Sequence, residues 1–171
     1  FTSGANEADN LAIKGVYEMY ASKGNHIITC VTEHKAVLDT CKHIEKQGGE
    51  VTYLQVKPDG LIDLAELEAA IKPTTILIAI MYANNETGVV FPIEEIGEIV
   101  KARGIPFHTD AVQAACWVDL AEIAPLVDVL TLSSHKFGGP KGMGVMMQRT
   151  GIELDPLILG GGQERDRRSG T

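Results

Sequence analysis

"TILIAIMY" (Thr75–Tyr82) decides the fold. The run is apolar at almost every position, follows Pro73 and ends at the polar "ANNETG". A half-buried strand alternates apolar with polar residues, whereas an unbroken run this short fits a strand covered on both faces. Helices layered on both sides of a parallel sheet give that cover. The flanking sequence supplies them. Towards the N-terminus, Asp63 caps a helix through Ile71, and "VTYLQV" (Val51–Val56) alternates like a strand. Lys35–Gln47 has Ala36, Val37, Thr40 and Ile44 near helical spacing, with Gly48 as the stop. "HIITCV" (His26–Val31) is another buried strand, and Asn6–Lys23 is helical and ends at Gly24. Towards the C-terminus, Pro92 opens a helix that runs to Arg103 and closes at Gly104. Strands "IPFHTD" (Ile105–Asp110) and "VDVLTLS" (Val127–Ser133) follow, with "AVQAAC" between them as a helical turn. "GVMMQR" (Gly144–Arg149) returns as an antiparallel strand after a short link. Strands alternating with helices predict an α/β fold, a three-layer αβα sandwich around a mostly parallel sheet, as one domain over residues 1–171.

Composition narrows the function. Acidic residues outnumber basic ones, 23 to 15, for a net charge of −8, which disfavours nucleic acid and anionic membrane as partners. No apolar run approaches the roughly 20 residues of a membrane span. Cys30, Cys41 and Cys116 have no CxxC pairing, so a reducing compartment, the cytoplasm, is expected, with a mitochondrial location left open. Cys41 and Cys116 sit in apolar contexts and read as packing residues. The spacing of Cys30 and His34 lacks a second ligand pair, and no metal site is expected. The chain lacks an initiator Met and a signal-peptide pattern, and its last residues, "RRSGT", are polar; it reads as a domain of a longer polypeptide.

In a parallel sheet of this kind, ligands sit beyond the carboxyl ends of the strands. Five segments deliver polar groups there. "TEHK" brings His34, "ANNETG" brings Asn85, and Asp110 ends its strand one helical turn before Gln113. Ser133, His135 and Lys136 follow "VLTLS", and "TSGAN" opens a helix at Ala5 and Asn6. A helix N-terminus offers unpaired N–H groups to an anion such as phosphate. A carboxylate ending a buried strand requires a cation or strong hydrogen bonds. A lysine desolvated in the same cleft becomes a nucleophilic amine. A phosphate cradle, a buried carboxylate and a Schiff-base lysine together describe pyridoxal 5'-phosphate, whose ring nitrogen the Asp would keep protonated. Singly, each residue has a plainer role: Asp110 as a helix cap, His34 as a helix-start residue, "NNETG" as a loop and Lys136 as a surface lysine.

The motifs "FTSGANEADNLAIKG", "TEHKAVLDTC", "NNETGVV", "HTDAVQA", "SSHKFGGPKGMG" and "GGGQERDRRSGT" together resemble the large domain of cysteine desulfurases. These are fold type I pyridoxal-phosphate enzymes of the class V aminotransferase group. "GPKG" and "RSGT" are similar to the iron–sulfur and nitrogenase-assembly branch; the selenocysteine-lyase-like branch typically has threonine at Lys141. The resemblance implies conversion of L-cysteine to L-alanine, with the sulfur left as an enzyme persulfide for iron–sulfur cluster or thiolation pathways. It implies that Lys136 forms the Schiff base and acts as a base with His34. Asp110 would pair with the ring nitrogen, Gln113 and Asn85 would lie at the phenolic oxygen, and His34 would stack on the ring. Ala5, Asn6, Ser133 and His135 would hold the phosphate, and Thr171 would reach the phosphate of a neighbouring subunit in a homodimer. Sulfur-acceptor or scaffold proteins are the implied partners. Asn6 stands where the family usually has threonine, and its N–H and amide are expected to serve instead. The sulfur-accepting cysteine and the arginine for the substrate carboxylate are expected beyond Thr171, which leaves the isolated chain inactive in turnover. Competing readings are a selenocysteine lyase or aminotransferase of the same fold, and a non-catalytic scaffold subunit.

Overall fold

The computed structural model describes Phe1–Gly170. Six strands form one sheet in the order β2-β1-β3-β4-β5-β6. They are β1 (His26–Cys30), β2 (Glu50–Leu54), β3 (Thr75–Ala79), β4 (Phe107–Asp110), β5 (Val129–Ser133) and β6 (Gly144–Gln148). The first five run parallel, and β6 is antiparallel to β5, as its short link predicts. The helices are α1 (Ala5–Met19), α2 (Lys35–Lys46), α3 (Leu64–Ala70), α4 (Ile93–Ala102) and the short α5 (Leu120–Ile123).

Successive strand residues point to opposite faces, and two cores result. Ile27 and Leu77 join Leu11, Val16, Val37 and Ile44 beneath α1 and α2. Ile28, Ile78 and Phe107 join Leu67, Ile96 and Ile123 beneath α3, α4 and α5. Every residue of β3 is buried, which is why its sequence shows no alternation. The apolar run outlasts the strand: Ile80 N–H donates to His108 O at 3.1 Å and Tyr82 N–H to Asp110 O at 2.9 Å. This ties the segment leading into "NNETG" to the end of β4.

Two details place the front of α1. Thr2 and Gly144 exchange backbone hydrogen bonds at 3.0 and 2.8 Å, which pins the start of the chain to β6. A Cβ on Gly144 would stand 2.6 Å from the Gly4 carbonyl carbon, so only glycine admits this approach. At its other end α1 stops at Met19 rather than at the expected Lys23. Residues 20–23 form turns instead, with Lys23 N–H on Tyr20 O at 2.8 Å. Gly24 then passes the Thr74 backbone, whose oxygen lies 2.2 Å from where a Cβ would be. The remaining elements begin and end within a few residues of the expected positions; α5, capped by Asp119, and a one-turn helix at Gln163–Asp166 are helices that the pattern does not reveal.

Candidate active site

At the carboxyl edge of the sheet a cleft of about 190 Å³ is lined by Ala5, Asn6, His34, Asn85, Asp110, Gln113, His135 and Lys136, with Met81, Ala83 and Val112. Eight of the ten expected site residues thus share one cavity. Ser133 lies buried beside it, and Thr171 is outside the described residues.

Each side chain is set by local structure. Lys136 rides on a 3₁₀ turn, Ser134–Phe137, that follows β5 and is closed by Gly138 in the left-handed region (φ 83°). Ser134 braces the turn, its hydroxyl reaching Met143 O at 3.0 Å and also Pro140 O. Ser133 Oγ and His135 Nδ1 lie 2.8 Å apart, presenting the imidazole to the cleft from the same turn. His34 is indeed a helix-start residue: its Nδ1 accepts from Ala36 N–H at 3.2 Å as the cap of α2. That bond leaves Nε2 to carry the proton of a neutral ring and fixes the ring over the cleft. In "NNETG" the two asparagines divide the work. Asn84 is buried and builds the loop, its Oδ1 accepting from Glu86 N–H and Thr87 N–H at 3.0 and 2.8 Å. Asn85 faces the cleft. No side chain caps α1, where Gly4 precedes Ala5 and Asn6, so its first-turn N–H groups remain available to an anion.

Asp110 forms the floor and is 6% exposed. Its Oδ1 accepts from Val112 N–H at 2.9 Å, so the capping role expected of it is real. Among the described residues no cation lies within ion-pair distance of it. Burial pushes its pKa up to about 8, the Asp9 charge adding to this while the Val112 bond and Lys136 pull the other way. The buried carboxyl therefore lacks the cationic partner that such a group requires.

Two expectations are corrected. Lys136 is exposed, so this chain does not desolvate it as expected; the rim carrying it stands clear of the sheet. Cys116 is exposed rather than packed, because its turn leaves the sheet edge, and its thiol donates to Lys136 O at 3.1 Å. The sequence reading also missed three buried polar groups. Glu33 Oε1 accepts from Met81 N–H at 2.6 Å. Burial raises the Glu33 pKa well above the usual range against that bond, with Asp110 and Asp9 adding to the rise. Asp9 and His108 are likewise inaccessible to solvent. Their signal was polar residues inside otherwise apolar elements.

A parallel sheet with an amine, a carboxylate and an open helix start converging on one edge is the frame of a known group: the chain belongs to the aminotransferase class-V family, whose pattern matches residues 1–169. Within it, cysteine desulfurase IscS of Histophilus somni (strain 2336) is 54% identical over 175 residues, covering 100% of this chain and 43% of that protein. Cysteine desulfurase IscS of Actinobacillus succinogenes is 57% identical over 175 residues with the same coverage, 100% and 43%. The chain thus spans less than half the length of these relatives. A solved structure of SspA in complex with cysteine superposes with a TM-score of 0.92 at 48% identity, covering 99% of this chain and 50% of that one. A NifS-like protein superposes with a TM-score of 0.94 at 42% identity, covering 99% and 47%.

Proposed function

We propose that this chain is the cofactor-binding domain of a pyridoxal-phosphate-dependent cysteine desulfurase. The observation that carries the reading is the buried carboxyl of Asp110, without a cationic partner among the described residues, on the floor of a cleft whose rim bears Lys136. A protonated pyridine nitrogen would supply the cation that Asp110 lacks. The rest of the donor set suits the same molecule. Ala5 and Asn6 N–H, with Ser133 and His135, would hold the phosphate at the dipole-positive start of α1. Gln113 and Asn85 would hold the phenolic oxygen, His34 would cover the ring face, and the Lys136 amine would take the aldehyde. The bound group supplies an electron sink for a carbanion at the substrate α-carbon.

The protein's own contribution is position and proton handling. Lys136 Nζ would take the α-proton, with His34 Nε2 as the second candidate base. Asp110 would stabilise positive charge on the ring, and the bond from Val112 N–H holds its carboxyl in place. L-cysteine is the substrate, L-alanine the product, and the sulfur leaves to a thiol of the enzyme. Cys30 and Cys41 do not suit that task. Burial raises both thiols, Cys41 to about 12, away from the reactive thiolate. We place the accepting thiol outside this chain.

A homodimer fits the exposed apolar side chains at this end of the sheet, Val90, Trp117, Phe137 and Met143, of which Trp117 is 84% exposed. A second subunit there would supply the dry surroundings that Lys136 lacks in this chain. Sulfur-acceptor or scaffold proteins are the further partners, and a cytoplasmic location goes with the reading; no helix among the described residues is long and apolar enough to cross a membrane.

The test uses the full-length protein. Loaded with pyridoxal phosphate, it should show the visible absorbance of a lysine Schiff base, which Lys136→Ala abolishes. It should release sulfide and alanine from L-cysteine under reductant without any keto acid. Dependence on a keto acid indicates an aminotransferase, a strong preference for selenocysteine indicates a lyase, and absence of the visible band indicates a scaffold.

A further inference from the structure

Beneath Asp110 lies a polar layer that the proposed mechanism does not use. Asp9, on α1, is 0% exposed, and neither of its oxygens has a hydrogen-bond partner. His108 Nε2 lies 3.5 Å from its Oδ1. His108 Nε2 also lies 3.1 Å from Thr131 Oγ1. His108 precedes Asp110 by two positions on β4, so both side chains point to the face covered by α1. Phe107, one position before His108, joins the opposite core. The layers behind the cleft are therefore Asp110, then Asp9 on the helix and His108 on the same strand, then Thr131 on β5.

A carboxyl without hydrogen bonds in a closed interior is destabilising. A purely structural position of this size would be filled better by an apolar residue, as Ala8 and Ala12 are on the same helix. The acid is useful if its charge acts on something. Asp110 and Glu33 are the acidic groups that feel it, Lys136 stands at the rim, and His108 is the one group able to bear positive charge beside it among the described residues. A negative charge behind Asp110 deepens the potential at the point where a ring nitrogen would sit.

Resting on the function proposed above, we propose that Asp9 is a positioning residue acting through Asp110: the Asp9–His108 pair strengthens the grip of Asp110 on a cationic ring nitrogen. Asp9 touches neither cofactor nor substrate. Its effect is electrostatic and specific to ligands that carry the ring nitrogen.

The experiment compares the binding of pyridoxal phosphate and of its 1-deaza analogue, which lacks that nitrogen, to cofactor-free full-length protein. Wild type is set against Asp9→Asn, which keeps shape and removes charge. The expected result is about tenfold weaker binding of pyridoxal phosphate, one charge's effect through an intervening carboxyl, with binding of the deaza analogue unchanged. The pH at which the cofactor's visible band changes should also fall, by about one unit. Equal losses for both ligands, or no loss for either, overturn the proposal. Should Asp9→Asn fail to fold, His108→Gln, which alters the imidazole beside Asp9, is read in the same two titrations. A change confined to pyridoxal phosphate supports the pair, and a change shared by both ligands overturns it. Failure of the wild type to bind either ligand overturns the function itself, a result distinct from the others.

Discussion

Asp110→Asn should stabilise the cofactor-free protein while impairing its loading. The carboxyl has a pKa of about 8 in the folded chain against 3.8 for the free group, chiefly through burial. Between these values the unfolded chain is ionised and the folded one holds a proton. The native state thus binds more protons, and stability falls as pH rises from about 4 towards about 8, then levels. At pH 7 the span above the unfolded value is roughly 3 units, which at ~1.4 kcal/mol each gives a penalty of about 4 kcal/mol. This is a ceiling, because an opening cleft lets water reach the group. Asparagine has nothing to ionise, and its Oδ1 can still accept from Val112 N–H, so the variant escapes the penalty without losing the cap. Urea unfolding of cofactor-free, full-length protein from pH 5 to pH 8 measures both chains. The stability of Asp110→Asn relative to wild type should rise across this window by a few kcal/mol, with Glu33 leaving a residual slope in both. Loading with pyridoxal phosphate should reverse the order, since only the carboxylate can pair with a ring cation. A flat difference across the window, or an asparagine variant that is less stable at pH 8, would refute the account of Asp110 as a carboxyl awaiting a partner.

Three further outcomes follow from other contacts. Gly144→Ala drives a methyl against the Gly4 backbone and should destabilise by about 1–3 kcal/mol; cofactor titration should show that it weakens loading too, because the start of α1 moves. Glu7→Gln should loosen the contact with Arg168, whose Nε lies 2.7 Å from Glu7 Oε1. Opposed by burial, the bonds from Arg168 and Ser3 hold Glu7 at about 2, so this contribution is present above pH 4.5 and lost as pH falls through about 2. Proteolysis of the segment around Arg168 at pH 7 should therefore be faster in the variant. Thiol titration of this stretch should find Cys116 reactive in the folded protein, with Cys30 and Cys41 reacting only after unfolding.

The architecture was legible because its signals are local and repeated. An unbroken apolar strand such as Ile76–Ile80 means cover on both faces, and caps at Asp63 and His34 mark helix starts directly. The cleft was legible for a different reason. Parallel strands bring all their carboxyl ends to one edge, so His34, Asn85, Asp110 and Lys136 needed only the strand assignments to be gathered. Asp9 and His108 escaped notice because an acid on a helix, or a histidine in a strand, normally turns to solvent or finds a partner. Nothing in their spacing says that α1 lies flat on the sheet with that side inward. Cys116 misled for the converse reason: its apolar neighbours Ala114 and Trp117 suggested a core, yet Trp117 itself projects from the surface.

The exposure of Lys136 has a consequence for where the chemistry is completed. An amine becomes a good nucleophile at neutral pH when its surroundings disfavour the ammonium form, through desolvation or nearby positive charge. This chain provides an acid floor and an open rim. The side chains of Asn6, His34, Asn85 and His135 around the lysine are all exposed. On the function proposed above, two changes would close the site. A ring cation would pair with Asp110 on the floor, and an apolar surface laid across Trp117 and Phe137 would dry the rim. The first would set the cofactor against the floor. The second assigns the activation to whatever packs on those side chains. Truncating Trp117 to alanine in the full-length protein should therefore slow formation of the Schiff base more than it weakens retention of the phosphate. Equal effects on both would place the drying elsewhere.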